Sequence, residues 1–150
     1  GLELAMACTL RIAAPHATMS LPEVKLGLLP AYAGTQFLPA IVGKARALEI
    51  MMTGRVLSSD EALAIGLAHR LADHGSPVLD QALAFGREVV RWSPGALAWI
   101  RRCVDAAGPQ VSDEGLAVED AAVRANFNSA DAREGIAAFL EKREPRFGRG

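Results

Sequence analysis

Hydrophobic and polar positions change rhythm about a third of the way along the chain. Before residue 35 the apolar positions come in short clusters, each broken by proline or glycine. Residues 10–14 form a short apolar run stopped by Pro15, the pattern of a buried strand. Residues 19–22 predict a second short extended piece, and residues 24–29, mostly apolar, end at Pro30. Ahead of them residues 1–7 predict a short helix. Glu3 lies in its first turn, where an acid meets the positive end of the helix dipole. Ala31-Tyr32-Ala33-Gly34-Thr35 predicts a loop, with Thr35 as the N-cap of the helix that follows.

Beyond that loop the spacing becomes helical. Residues 44–52 predict a helix closed by Gly54. Ser58 and Glu61 have the spacing of a capping box, and Gly66 suits the position just past the end of that helix. Residues 67–71 predict a last strand. Ser76-Pro77 reads as an N-cap followed by proline in the first turn. The helix it opens places Val78, Leu79, Ala82, Leu83, Val89 and Val90 on one side. Asp80, Gln81, Arg87, Glu88 and Arg91 fall mostly on the other. Ser93-Pro94 repeats the signal for a helix ending near Gly108-Pro109. Residues 113–127 predict a third long helix. Asp131 and Glu134 have capping-box spacing for a fourth, which carries Ile136, Phe139 and Leu140. The expected class is therefore α/β: a small region of short strands and helices, then a mainly helical region.

Composition narrows the function more than the fold. The 28 alanines and 5% aromatic content favour close-packed helices over a sandwich of strands. Sixteen basic against seventeen acidic residues give a net charge of −1, which argues against a nucleic-acid or anionic-membrane partner. No apolar run reaches the roughly 18–20 residues that a membrane span needs. Cys8 and Cys103 stand far apart and read as two buried thiols of a reducing compartment. His16, His69 and His74 form no ligand pattern, so no metal site is expected. The chain opens at Gly1 rather than at methionine, and its first residues read as the middle of a longer protein.

Three places could carry chemistry. Glu3 and Glu23 are the acids of the first third. They read either as a helix-start acid and a surface turn acid, or as two carboxyl groups facing one cavity. In the second case one acts as acid and the other as base. The loop at residues 30–35 is either an ordinary connection or a place where small residues let a substrate approach the backbone. The tail Glu141-Lys142-Arg143-Glu144-Pro145-Arg146-Phe147-Gly148-Arg149 is either a solvated helix end with cations complementing the dipole, or a phosphate contact.

These residues carry a resemblance. Gly1-Leu2-Glu3-Leu4-Ala5-Met6-Ala7-Cys8 and Leu10-Arg11-Ile12-Ala13-Ala14 resemble the glycine-rich helix start and following strand of the crotonase (enoyl-CoA hydratase/isomerase) superfamily. The match continues through Leu21-Pro22-Glu23-Val24-Lys25-Leu26-Gly27-Leu28-Leu29-Pro30, Gly34-Thr35-Gln36, Leu38-Pro39 and Gly43-Lys44-Ala45-Arg46-Ala47. Thr53-Gly54-Arg55 with Ala62, Gly66 and Leu67 fits as well. Arg133-Glu134-Gly135, Ala138-Phe139 and Glu141-Lys142-Arg143 with Pro145 and Phe147 resemble the family's closing helix.

The resemblance implies the C-terminal part of a crotonase-like spiral fold. Residues 1–71 would be the last part of the α/β core, and residues 72–150 a helical region for trimerisation and CoA contact. It implies an enoyl-CoA hydratase that adds water across the 2,3-double bond of an acyl-CoA thioester. Such a hydratase serves fatty acid (β-oxidation) or branched-acyl degradation and gives a 3-hydroxyacyl-CoA. Glu3 would activate the water and Glu23 would protonate C2. Gly1, Ala31, Tyr32, Phe139 and Lys142 would contact substrate, the last two at its adenine-phosphate end. No cofactor beyond the CoA of the substrate is implied. The implied assembly is a homotrimer or homohexamer, in the cytoplasm or, in a eukaryote, the mitochondrial matrix. Alternatives are an enoyl-CoA isomerase, a methylglutaconyl-type hydratase, or a non-catalytic piece, since the family's two oxyanion-hole donors would both lie upstream of Gly1. Two glutamates favour a hydratase over an isomerase, which works with a single acid/base. The family loop is glycine-rich where this chain has Ala31-Tyr32-Ala33, and Tyr32 adds bulk on the acyl side.

Overall fold

The computed structural model describes residues 1–108 and 112–148. It divides into two compact units, Gly1–Ala84 and Phe85–Gly150. The first opens with α1 (Leu2–Met6), which starts at Gly1 without a side-chain cap and ends where the Cys8 thiol donates to the Leu4 carbonyl. The three expected strands shrink to two-residue pieces, β1 (Ile12–Ala13), β2 (Thr18–Met19) and β4 (Arg70–Leu71), and an unexpected one joins them, β3 (Leu57–Ser58). β1 pairs in parallel with β4 and β2 antiparallel with β3. The β1–β4 ladder is extended by His69 N–H to the Arg11 carbonyl and Ala72 N–H to the Ala13 carbonyl.

Residues 24–29, mostly apolar but interrupted by Lys25 and Gly27, do not form a strand. Glu23–Leu26 is a 3-10 turn closed by Gly27 at φ +71°, a backbone that glycine adopts freely. The helices α2 (Gly34–Val42), α3 (Lys44–Thr53) and α4 (Ser59–Ala64) pack around this frame and share its core. Leu38, Ile50, Leu57 and Leu67 are fully buried there, with Met6, Leu21 and Val42 around them. Ser58 caps α4 by accepting from Glu61 N–H at 3.2 Å, as its spacing predicts. The Glu61 side chain does not complete the box. It pairs with Arg55, which also holds Glu49 and so ties α3 to the start of α4. Gly66 takes φ +78° just past α4, where the sequence puts it.

α5 (Val78–Val90) spans the boundary between the units. Pro77, not Ser76, carries the carbonyl that opens it, accepting from Gln81 N–H. Gln81, expected on the solvent side, folds back on the preceding turn. Its amide exchanges hydrogen bonds with Asp73 N–H and C=O and donates to the Ser76 carbonyl.

In the second unit α6 (Pro94–Asp105) and α7 (Asp113–Phe127) begin at Ser93 and Ser112, each hydroxyl accepting from the N–H three residues on. The expected end of α6 at Gly108-Pro109 is three residues long of the observed one, and Pro109 lies outside the described residues. α8 (Ala130–Glu141) is capped by Ser129 rather than by Asp131. Asp131 instead accepts from the Ser93 hydroxyl at 2.6 Å and from Gly148 N–H at 3.0 Å. Glu134 takes the Arg143 fork at 2.7 and 3.0 Å and Arg146 N–H at 2.7 Å. Two acids expected to cap a helix therefore hold the segment after it. Arg149 lies outside the described residues.

Those bonds give Glu134 a pH signature. The Arg143 fork first, then Arg146 N–H, hold its carboxyl at about 2 against an ordinary 4.5. A depressed carboxyl stabilises the fold fully above its unfolded value and loses that contribution as pH falls through the folded one. Glu134→Gln should lower Tm at neutral pH, and the gap to the parent should close between pH 4.5 and about 2. A gap that stays constant through that window, followed by circular dichroism melts, would refute the electrostatic account.

Both thiols are free. Cys103 is half-buried and Cys8 is exposed, against the expectation of two buried ones. No helix among the described residues is long and apolar enough to cross a membrane.

Candidate active site

Glu3 sits one residue into α1, half-buried. Its Oε1 accepts from Tyr32 N–H at 2.9 Å and from Gly34 N–H at 3.1 Å. These donors belong to the loop between the 3-10 turn and α2. Two amides two residues apart converge on one oxygen because the residue between them, Ala33, has φ +66° and ψ +14°. Alternation of right- and left-handed backbone makes such a concave anion-binding nest.

At Gly34 the close approach that a small residue permits is already taken. The group that approaches is Glu3 itself. A Cβ placed on Gly34 would lie 2.8 Å from Glu3 Oε1 and 2.7 Å from the Pro30 Cβ, so only glycine fits. Pro30 is buried and fixes the loop's entry, while Ala31 and Tyr32 are exposed. Thr35, the expected cap, is the second residue of α2, and Ala33 occupies the cap position without a side-chain bond.

Glu23 opens the 3-10 turn, and its carbonyl accepts from Leu28 N–H. Its side chain is half-buried, and Oε2 is wholly buried with no hydrogen-bond partner. A buried carboxylate oxygen without a donor is costly, and such orphans concentrate where a function requires them. A surface turn acid does not fit this environment. The turn packs against the end of α3, where Gly54 leaves room for Val24 and Lys25.

The other expected contacts are placed as follows. Gly1 is exposed and its carbonyl opens α1 by accepting from Ala5 N–H. Phe139 and Lys142 belong to the second unit, both exposed. Phe139 is on α8, and Lys142 sits at its C-cap with φ +53°. The structure thus brings Glu3, Tyr32 and Gly34 together by direct bonds. Sequence reasoning missed the Tyr32 and Gly34 amides as partners of Glu3, and Ala33 as the residue that aims them.

Among the described residues no group of three or more His, Cys, Asp or Glu side chains gathers as a metal site.

Comparison with known proteins gives a consistent result. A family model described as enoyl-CoA hydratase/isomerase matches residues 1–150. The chain is 43% identical over 147 residues to a Bacillus subtilis (strain 168) protein named "Probable enoyl-CoA hydratase", covering 98% of this chain and 57% of that protein. It is 37% identical over 150 residues to the mitochondrial methylglutaconyl-CoA hydratase of Rattus norvegicus, covering 98% of this chain and 48% of that protein. The crystal structure of an enoyl-CoA hydratase from Polaromonas sp. JS666 superposes with a TM-score of 0.90 at 31% identity, covering 98% of this chain and 57% of that one. The chain spans about half the length of the curated relatives it matches.

Proposed function

The chain belongs to the enoyl-CoA hydratase/isomerase family of the crotonase superfamily, and from that premise we propose that it carries the two acid/base residues of a hydratase acting on 2-enoyl-CoA thioesters. The observation that carries this reading is the anchoring of Glu3. One oxygen is held by the Tyr32 and Gly34 amides, which leaves the other to take a proton from water. Glu23, with a buried and unpartnered Oε2, supports the second role.

In this reading the water oxygen bonds to C3 while Glu3 takes its proton. The electron pair of the 2,3-double bond moves toward the thioester carbonyl. Glu23 then delivers a proton to C2, and the product is a 3-hydroxyacyl-CoA. The resemblance implies that two backbone N–H groups stabilise the developing thioester oxyanion, commonly the largest catalytic contribution. Tyr32, exposed and adjacent to the Glu3 anchor, is proposed to meet the acyl chain beside Ala31 and Gly1. Phe139 and Lys142 are proposed to meet the adenine-phosphate end.

The 37% identity to a methylglutaconyl-CoA hydratase favours a second reading, a branched acyl substrate processed by the same chemistry. Self-association as a trimer or hexamer is supported by apolar side chains left in solvent. Phe139 is 81% and Leu140 73% exposed on α8, and large apolar side chains left in solvent are what a subunit contact would cover.

The test is direct. The intact protein is mixed with crotonyl-CoA, and loss of the conjugated thioester absorbance is followed. Turnover to 3-hydroxybutyryl-CoA is the expected result. No hydration, together with double-bond migration in a 3-enoyl-CoA, would replace the hydratase reading with an isomerase. The same preparation should scatter light as a trimer or hexamer, and a monomer would refute the assembly.

A further inference from the structure

We infer that Ala33 is a positioning residue: its left-handed backbone makes Glu3 the distant cap of α2 and thereby fixes which Glu3 oxygen is left for the reaction. This rests on the reading of Glu3 as the water-activating group.

Only two non-glycine residues among those described have positive φ, Ala33 and Lys142. Lys142 ends a helix, a place where left-handed backbone is common. Ala33 stands at the start of one, where the cap residue is ordinarily extended and offers a side-chain oxygen to the first free amides. Alanine has no such oxygen, and α2 has no local side-chain cap. The Gly34 amide, at the start of α2, finds its acceptor in Glu3, 31 positions away in sequence. The Tyr32 amide joins it.

The left-handed turn at Ala33 points both N–H groups the same way, so the strain and the missing cap have one explanation. A carboxylate at a helix N-terminus is also the charge that the dipole prefers. Gly34 completes the arrangement, because its bare Cα lets Oε1 approach. An extended residue 33 would turn one amide away and free the Glu3 side chain to rotate. The catalytic carboxylate and the start of α2 are therefore one coupled unit.

Coupling is measurable without activity. Ala33→Gly removes the backbone strain while allowing the same conformation. It should raise Tm in the parent and raise it much less when Glu3→Ala leaves the loop free to relax. Equal shifts in both backgrounds would overturn the inference, whatever reaction the protein performs.

Ala33→Val supplies the kinetic arm, since a β-branched residue resists the left-handed region. It should lower kcat for crotonyl-CoA hydration roughly 10²-fold, the scale of a small misplacement of a catalytic group, with KM little changed. Ala33→Gly serves as the conservative rescue and should not share that loss. A folded Ala33→Val protein with the parent's kcat would refute the positioning role. Should Ala33→Val not fold, the Ala33→Gly and Glu3→Ala melting cycle decides alone.

Discussion

Exchanging Glu3 or Glu23 for glutamine is expected to lower kcat for enoyl-CoA hydration by roughly 10²–10⁴-fold each, the usual loss when a positioned acid/base is removed. Glutamine keeps the shape of the side chain, and its carbonyl oxygen can still accept from Tyr32 and Gly34 N–H, so the fold and CoA affinity should hold. What is lost at position 3 is the ability to take a proton from water. At position 23 it is the ability to deliver one to C2. The two single losses should not add in the double variant, because residues acting on one water form a unit. Stopped-flow hydration assays with a parallel measurement of thioester binding separate chemistry from affinity. Near-normal kcat in either variant would remove that residue from the mechanism.

The second large effect is expected at Gly34→Ala. The added Cβ would fall 2.8 Å from Glu3 Oε1 and 2.7 Å from the Pro30 Cβ. Pro30 is buried and rigid, so the strain cannot be relieved on that side. Either Glu3 leaves the nest or the loop shifts. Overpacking of this kind costs typically about 1–3 kcal/mol, read as a lower denaturation midpoint at unchanged m-value. Catalysis should fall with it, by roughly 10²-fold, since a displacement of about 1 Å at the base suffices. A Gly34→Ala protein with parental stability and kcat would show that the loop tolerates a side chain and that the Glu3 anchor is not constrained as described.

Helix placement was legible where the signal was local. Ser93-Pro94, the helix at residues 113–127 and the Ser58 cap were readable because a hydroxyl, a proline or a periodic stripe acts within one turn. Elements failed where a distant residue decided the outcome. Thr35 had the right chemistry for a cap, yet Glu3 serves α2 from another helix, and no local rule sees that. Asp131 and Glu134 had capping-box spacing, but Ser129 stood earlier and the acids were taken by Gly148 and by Arg143 and Arg146. The strands were overestimated because an apolar run signals burial but not the length of its ladder: of residues 10–14 only Ile12 and Ala13 pair with β4. Of the candidate site, Glu3 and Glu23 were singled out from their setting and then from the family resemblance. The partners of Glu3 were hidden, since backbone amides carry no residue type for a sequence to display.

The most direct measurement is a crystal structure of the intact protein with a bound acyl-CoA thioester. The account predicts one water within hydrogen-bonding distance of both the free Glu3 oxygen and the Glu23 carboxyl, over C3 and C2 of the acyl chain, with Tyr32 and Gly34 N–H still on Glu3 Oε1. Carboxyl groups that open into separate cavities, or a thioester lying away from both, would contradict it.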